Sequence, residues 1–148
     1  MKFKNLFFSI IAAAFLSSAI SVDKTNMIGK TAPKIETISG KNVVVDGKPD
    51  GKTKIVSFWS PKQPASRIAN KNLSLKYDEK SSENVEFISI CTDSDESLMK
   101  EVVKMDNLPE GKVLSYSQIS PRVFKDYDVQ DSPKAFKISA DGKIIEVL

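Results

Sequence analysis

The chain of 148 residues contains no histidine and only one cysteine, and these two absences remove much of the chemistry that side chains commonly perform. Without histidine, the usual serine and cysteine triads lack their general base, and most transition-metal sites lack their usual ligand. With Cys91 alone, no intramolecular disulfide can form, so an ordinary apolar core must hold the domain together. We therefore expect no bound metal and no cofactor.

Arginine is also scarce, since Arg67 and Arg122 are the only two in the chain, and the lysines are scattered along it. Bidentate contacts to phosphate need arginine, and a nucleic-acid surface needs clustered positive charge. The formal net charge of +3 is therefore no sign of nucleic-acid binding, and we expect no nucleic-acid partner.

The first residues have the pattern of a secretory signal peptide. Lys2 and Lys4 precede an uncharged apolar run over residues 6–20, and small residues up to Ala19 suit cleavage there; a second option lies at residues 19–21. The apolar run of about 15 residues is shorter than the roughly 20 that span a bilayer, although an uncleaved anchor is the alternative. We expect residues 1–19 to be removed, residues 20–148 to form one extracytoplasmic or periplasmic domain, and the mature chain to have no membrane contact.

The remaining residues alternate between strand and helix patterns. Residues 35–38 and 42–45 predict a short hairpin, and residues 54–59 and 85–91 predict two buried strands. Asp141-Gly142 between two alternating segments predicts a second hairpin at the end of the chain. This order favours an α/β sandwich with a central mixed sheet flanked by helices.

Three helices are predicted between these strands. Residues 64–80 carry an apolar stripe in which Ala65, Ala69, Leu73 and Tyr77 recur every four residues, with Ile68 beside them. The second helix has its apolar face at Leu98, Met99, Val102 and Val103, and residues 93–95 supply its acidic cap; capping explains these acids better than a calcium site does. Ser120-Pro121 begins a short third helix.

A loop rich in proline joins the strand at residues 54–59 to the first helix. It contains Phe58-Trp59 at the end of the strand, Pro61 and Pro64 in the loop, and Gln63 and Ser66 around the start of the helix. Neither an amide nor a hydroxyl without a base can act as the nucleophile of a thiol exchange. This loop therefore has no obvious nucleophile.

This arrangement resembles the thioredoxin-like superfamily, and most closely the extracytoplasmic thiol–disulfide oxidoreductases of the TlpA/ResA type. The resemblance rests on the strand ending in Phe-Trp and on residues 29–33, 88–93, 127–133 and 136–143, in that order. It covers nearly all of the chain after residue 26. It implies the thioredoxin-like α/β sandwich with a C-terminal hairpin, although the helix that ends many relatives is absent.

The resemblance also implies a site. Relatives carry two cysteines where this chain has Gln63 and Ser66. They bind extended peptides in a groove beside this loop, where the bond before the residue matching Pro133 is usually cis. Carried over residue by residue, this groove would contain Trp59, Gln63, Pro64, Ser66, Ser132 and Pro133. Three alternatives stay open: a packed Trp59, a Gln63 that is only a solvated cap, and a trans bond before Pro133.

Loss of both cysteines makes dithiol catalysis implausible, so the sequence favours a secreted binding or scaffold module that is not an enzyme. Its expected partner is an extended peptide or protein segment, and its oligomeric state is left open. The alternative is a thiol oxidoreductase or peroxidase that acts through Cys91 alone. Because Cys91 ends an apolar strand, a structural role in the core is the simpler interpretation.

Overall fold

A five-stranded mixed sheet forms the centre of the molecule. In the computed structural model, which describes residues 26–40, 42–77, 84–109 and 112–148, the predicted signal peptide at residues 1–19 lies outside the described residues. The strands, in chain order, are β1 (Ile35–Glu36), β2 (Val43–Val45), β3 (Thr53–Trp59), β4 (Val85–Cys91), β5 (Val113–Leu114), β6 (Ala135–Ile138) and β7 (Ile144–Val147).

The strand order in the main sheet is β5-β4-β3-β6-β7. β3 pairs in parallel with β4 and antiparallel with β6, and β4 pairs in parallel with β5. β1 and β2 form the separate antiparallel hairpin that the sequence predicts. The fold class predicted from the pattern, an α/β sandwich with a mixed sheet and a C-terminal hairpin, is therefore confirmed.

The helices are α1 (Pro64–Lys76), α2 (Glu96–Met105) and α3 (Pro121–Asp126), with a 3-10 helix at Tyr116–Gln118 before α3. Asp95 caps α2 as its position predicts, because its carboxylate accepts the backbone N–H of Leu98 at 3.0 Å. Within the described part of the chain, no helix combines the length and the apolar character that crossing a bilayer requires.

Two apolar clusters lie on the two faces of the sheet, because successive side chains of a strand point to opposite faces. On the face covered by α3, Phe58 of β3 packs against the rings of Phe124, Tyr127 and Phe136, with centroids 5.1–6.3 Å apart. On the other face, the side chains that pack around Trp59 come mainly from β4 and α2: Cys91, Met99, Val102, Val103 and Leu108.

Helix α1 packs on the sheet through a polar face, which the periodicity does not predict. Its buried residues are Asn70 and Ser74, whereas Ala65, Ala69 and Ile68 of the predicted apolar stripe are exposed. The reason lies in the sheet beneath, since β4 presents the buried Ser89, whose hydroxyl donates to Asn70 Oδ1 at 3.0 Å. A polar helix face satisfies this hydroxyl, which an apolar face would leave unpaired.

The C-terminal hairpin turns at Asp141-Gly142, as predicted, and the turn requires glycine there. Gly142 has φ +83°, and a Cβ atom at this position would overlap the backbone carbonyl of Gly47 in the loop before β3. The N–H of Ala32 also donates to the Gly142 carbonyl at 2.9 Å. The hairpin therefore anchors two preceding segments of the chain to the sheet.

Candidate functional site

The loop between β3 and α1 is closed by the hydroxyl of Ser66. The backbone N–H of Ser60 donates to Ser66 Oγ at 3.1 Å, and this Oγ lies 3.2 Å from the Ser60 carbonyl oxygen and 3.1 Å from that of Gln63. The hydroxyl thus bridges the end of the strand and the first turn of the helix. Ser66 stabilises the loop conformation, and a chain without histidine offers its hydroxyl no imidazole base that could activate it as a nucleophile.

Gln63 stands at the N-cap position of α1 and is exposed. Its side chain makes no capping hydrogen bond, and Pro64 follows at the first helical position. An exposed side chain at a helix N-terminus is where the attacking thiolate of a dithiol protein would gain from the helix dipole. In this chain the position offers only a neutral amide to whatever approaches the loop.

The peptide bond between Ser132 and Pro133 is trans, since no cis peptide bond occurs in the described residues. The cis bond that the resemblance implies is therefore wrong for this chain. The trans form is intrinsically favoured by about 0.5–1 kcal/mol at such bonds. It is also compatible with sheet pairing directly after the proline, because the N–H of Phe58 donates to the Lys134 carbonyl at 2.9 Å.

A groove of about 270 Å³ runs between α1 and β6, and we call it the α1–β6 groove. It brings together Ser66 and Pro133, two of the residues that the sequence placed in one site. The residues that line it are Ser57, Phe58, Ser66, Ala69, Asn72, Leu73, Pro133, Lys134, Ala135 and Leu148. Three other predicted site residues are exposed and do not line this groove: Gln63, Pro64 and Ser132. They lie within three positions of Ser66 or directly before Pro133, which do line it.

Trp59 does not line the groove. Its side chain is completely buried between the sheet and α2, so the alternative of a packed strand residue is the one that the structure shows. The reason is the alternation along β3: Trp59 shares its sheet face with Cys91 of β4, and α2 covers both. Its indole N–H has no hydrogen-bond partner among the residues that the structure describes.

Cys91 is also fully buried, in the same cluster as Trp59. Its thiol lies 3.5 Å from the Asp93 carbonyl oxygen, to which it donates. Burial raises the pKa of the Cys91 thiol to about 11, so the thiolate form is scarce at neutral pH. The environment is therefore that of a core residue, and it opposes both nucleophilic attack and contact with a substrate.

An ion pair between α1 and α2 lies beside the site, and sequence reasoning missed it. Arg67 Nε donates to one carboxylate oxygen of Asp106 at 2.6 Å, and its terminal nitrogen donates to the other at 2.7 Å. The hydrogen bonds from Arg67 lower the pKa of Asp106, whose side chain is 7% exposed. No sequence pattern links two residues that lie 39 positions apart on different helices.

We expect Asp106→Asn to lower the free energy of unfolding by about 2 kcal/mol at pH 7, because it removes the negative charge and one of the two oxygens that accept from Arg67. Since the folded-state pKa of Asp106 lies below its unfolded value near 3.9, the carboxylate contributes stability above that pH. This contribution is lost as the pH falls through the folded-state pKa. Urea unfolding of both proteins at pH 7 and at pH 3 measures the difference.

The control for this experiment is Asp126→Asn, which breaks the exposed pair between Asp126 and Arg122 on α3, where the nitrogen-to-oxygen distance is 3.2 Å. Such surface pairs contribute about 0–1 kcal/mol, so the control should change stability little at either pH. An Asp106→Asn deficit of the same size at pH 3 as at pH 7 would show that the charge of Asp106 is not the cause.

Comparison with solved structures identifies a common fold. A thioredoxin-like protein from Parabacteroides distasonis is 27% identical, with a TM-score of 0.66 over 81% of this chain and 85% of that one. A secreted disulfide oxidoreductase from Mycobacterium tuberculosis is 24% identical, with a TM-score of 0.57 over 79% and 82%. A thiol:disulfide interchange protein from a Bacteroides species is 20% identical, with a TM-score of 0.60 over 81% and 80%. No protein-family profile and no curated protein sequence matches the chain.

These similarities confirm the thioredoxin-like fold that the sequence resembles. Its structural neighbours are thiol–disulfide oxidoreductases, which exchange disulfides through cysteine thiolates. This chain has one cysteine, it is buried, and it lies at the end of β4 and not in the loop between β3 and α1. The chain therefore combines the fold of its neighbours with a loop that lacks a cysteine pair.

Proposed function

We propose that this protein is an extracytoplasmic binding module of thioredoxin-like fold, without dithiol chemistry, that holds an extended segment of a protein partner in the α1–β6 groove. The observation that supports it most directly is that the loop between β3 and α1 is held in one conformation by hydrogen bonds. Ser66 fixes the loop through hydrogen bonds to Ser60 and Gln63, so the loop keeps an ordered surface although it has no nucleophile. A surface that is ordered before binding loses less entropy on binding.

The composition of the groove supports an extended polypeptide as its occupant. Its walls are largely apolar, with Ala69 and Leu73 on the α1 side and Pro133, Ala135 and Leu148 on the sheet side. An apolar trough flanked by a strand can accept alternate side chains of an extended chain. Polar groups near the loop, such as Gln63 and the backbone of Ser132, would then offer hydrogen bonds to the partner's backbone.

The proposed location rests on the signal-peptide pattern of residues 1–19 and on the secreted relative from Mycobacterium tuberculosis. After removal of that segment, we propose that the protein acts in the periplasm or another extracytoplasmic space. Catalysis by Cys91 alone, the competing function, would need an accessible thiolate. The burial of Cys91 and the raised pKa of its thiol make the binding function the better supported of the two.

Binding of an unfolded chain tests this proposal, and reduced, carboxymethylated α-lactalbumin is a suitable probe because it is extended and has no free thiol. We expect the purified protein to bind it with a Kd of about 10–100 μM, typical of a small and transient interface. Ala69→Glu places a charge on the exposed wall of the groove and should weaken binding at least about tenfold. Fluorescence anisotropy of the labelled probe measures both values.

The matched control is Arg122→Ala on α3, on the opposite face of the sheet, which changes the net charge by the same amount as Ala69→Glu does. It should leave the Kd unchanged. Equal weakening by both variants would indicate a nonspecific charge effect, and no weakening by Ala69→Glu would exclude the α1–β6 groove as the binding surface.

A further inference from the structure

A second cavity lies towards the other edge of the sheet, between α2 and the edge strand β5, and we call it the α2–β5 cavity. Its volume is about 630 Å³, which is within the range of small-molecule sites. β5 is the edge strand at one end of the sheet, whereas β6, which borders the α1–β6 groove, lies on the other side of the central strand β3 in the strand order. The two surfaces are therefore separate.

The spacing of residues on α2 explains how the wall of this cavity forms. Glu96, Met99, Lys100, Val103 and Lys104 recur at intervals of three and four residues, so they share one side of the helix. Met99 and Val103 are almost buried, at 7% exposure each, and lie at the base of the wall. With Val113 of β5 opposite them, they give the cavity an apolar floor.

The charged groups at the rim leave an excess of positive charge. One carboxylate oxygen of Glu96 accepts a hydrogen bond from the Ser117 hydroxyl and lies 3.3 Å from Ser115 Oγ, and the other lies 4.0 Å from Lys100 Nζ. Lys104 makes no ion pair with any residue that the structure describes. The lining of the cavity thus carries two ammonium groups and one carboxylate.

A neutral donor stands on the opposite wall. The Oε1 atom of Gln118 accepts from the backbone N–H of Ser115 at 2.8 Å and from the Ser115 hydroxyl at 3.2 Å. These bonds fix the carboxamide group and leave its NH₂ group as a donor for a ligand. The cavity therefore offers an apolar floor, one unpaired ammonium group and one amide donor, which together suit an anion attached to an apolar body.

We infer that the α2–β5 cavity binds a small carboxylic acid, with the carboxylate beside Lys104 and the apolar body on Met99, Val103 and Val113. A carboxylate pairs with an ammonium group through charge-assisted hydrogen bonds, and the apolar body is removed from water on the floor. Acetate lacks the body, and an amide of the same shape lacks the charge. Both should therefore bind much more weakly than an acid that has both parts.

Phenylacetate, phenylacetamide and acetate are three probes that separate these contributions. In a ¹H–¹⁵N NMR titration of the purified protein, we expect phenylacetate to shift the amide signals of Met99, Val103, Ser115 and Gln118. Saturation should give a Kd on the order of 1 mM, as for other ligands of this size. Phenylacetamide and acetate should each bind at least about tenfold more weakly.

Lys104→Gln should weaken phenylacetate binding about fivefold while leaving the weak binding of phenylacetamide unchanged, because only the acid uses the ammonium group. Lys125→Gln on α3 removes an exposed lysine that does not line the cavity and should change neither. The inference is overturned if phenylacetate shifts no signal around the cavity, if acid and amide bind equally, or if Lys104→Gln binds the acid as well as the natural chain does.

Discussion

Replacing Gln63 and Ser66 by cysteines should give this protein disulfide reductase activity through a cysteine pair that the natural chain does not contain. Positions three residues apart in the first turn of a helix lie about 5–6 Å apart, within the range that a disulfide spans. The N-terminus of α1 should lower the pKa of a thiol at position 63 from about 8.5 towards 7, as in dithiol proteins with this geometry.

The expected reaction follows ordinary thiol–disulfide exchange. The thiolate at position 63 attacks a substrate disulfide, one substrate sulfur leaves as a thiolate, and a mixed disulfide forms. The thiol at position 66 then loses its proton and attacks this mixed disulfide, which releases the second substrate thiolate and oxidises the pair. Dithiothreitol reduces the pair again, so insulin reduction with this reagent measures turnover.

We expect Gln63→Cys/Ser66→Cys to reduce insulin at least about a hundredfold faster than the natural chain, which should not exceed the rate of dithiothreitol alone. Gln63→Cys by itself is the control, because it can form the mixed disulfide but cannot resolve it. The loss of the Ser66 hydrogen bonds should cost about 1 kcal/mol, which urea unfolding would detect. A folded but inactive double variant would show that the loop, with its trans Ser132–Pro133 bond, no longer has a productive geometry.

The thiol of Cys91 should react with a thiol reagent at least about a thousandfold more slowly in the native protein than in the unfolded chain. With a pKa of about 11, the thiolate fraction at pH 8 is roughly one part in a thousand, whereas it is about one quarter for an ordinary cysteine. Burial adds a further barrier, because the reagent reaches the sulfur only after local opening. Reaction with 5,5′-dithiobis(2-nitrobenzoate), with and without urea, measures the ratio.

Gln63→Cys/Cys91→Ala provides the matched control for this measurement. Its only thiol stands at the exposed N-cap of α1 and should react at a rate close to that of the unfolded chain. Native labelling of Cys91 at a comparable rate would mean that the thiol is accessible. The single-cysteine enzyme would then replace the binding module as the preferred function, and peroxide consumption that disappears in Cys91→Ala would establish it.

Elements with local signals could be predicted from the sequence. Asp141-Gly142 specifies a tight turn through its backbone preferences, and Asp95 caps α2 through a side chain three residues from its partner. The missing nucleophile also needs no coordinates, because Gln63 and Ser66 stand at the start of a helix that follows a buried strand. Each of these inferences depends on residues only a few positions apart.

The candidate site was only partly predictable for the same reason. Ser66 and Pro133 do meet in the α1–β6 groove, but they are brought there by the antiparallel pairing of β3 with β6. No sequence pattern predicts which face of the sheet the Trp59 side chain lies on, and in the structure it is buried beneath α2. The bond before Pro133 is trans, although relatives suggest cis, because a proline's isomer is set by its surroundings.

The sequence by itself determined the order of the strands and helices, the sheet-based fold class and the absence of a cysteine pair. Only the tertiary structure decided which side of each element meets its neighbours. Periodicity shows which residues of α1 share a face, but the hydroxyl of Ser89 in the sheet selects the face that carries Asn70. In the same way, Asp106 at the end of α2 determines where the Arg67 side chain lies. The physical reason is that packing and charge pairing are properties of two surfaces, whereas a sequence pattern describes only one of them.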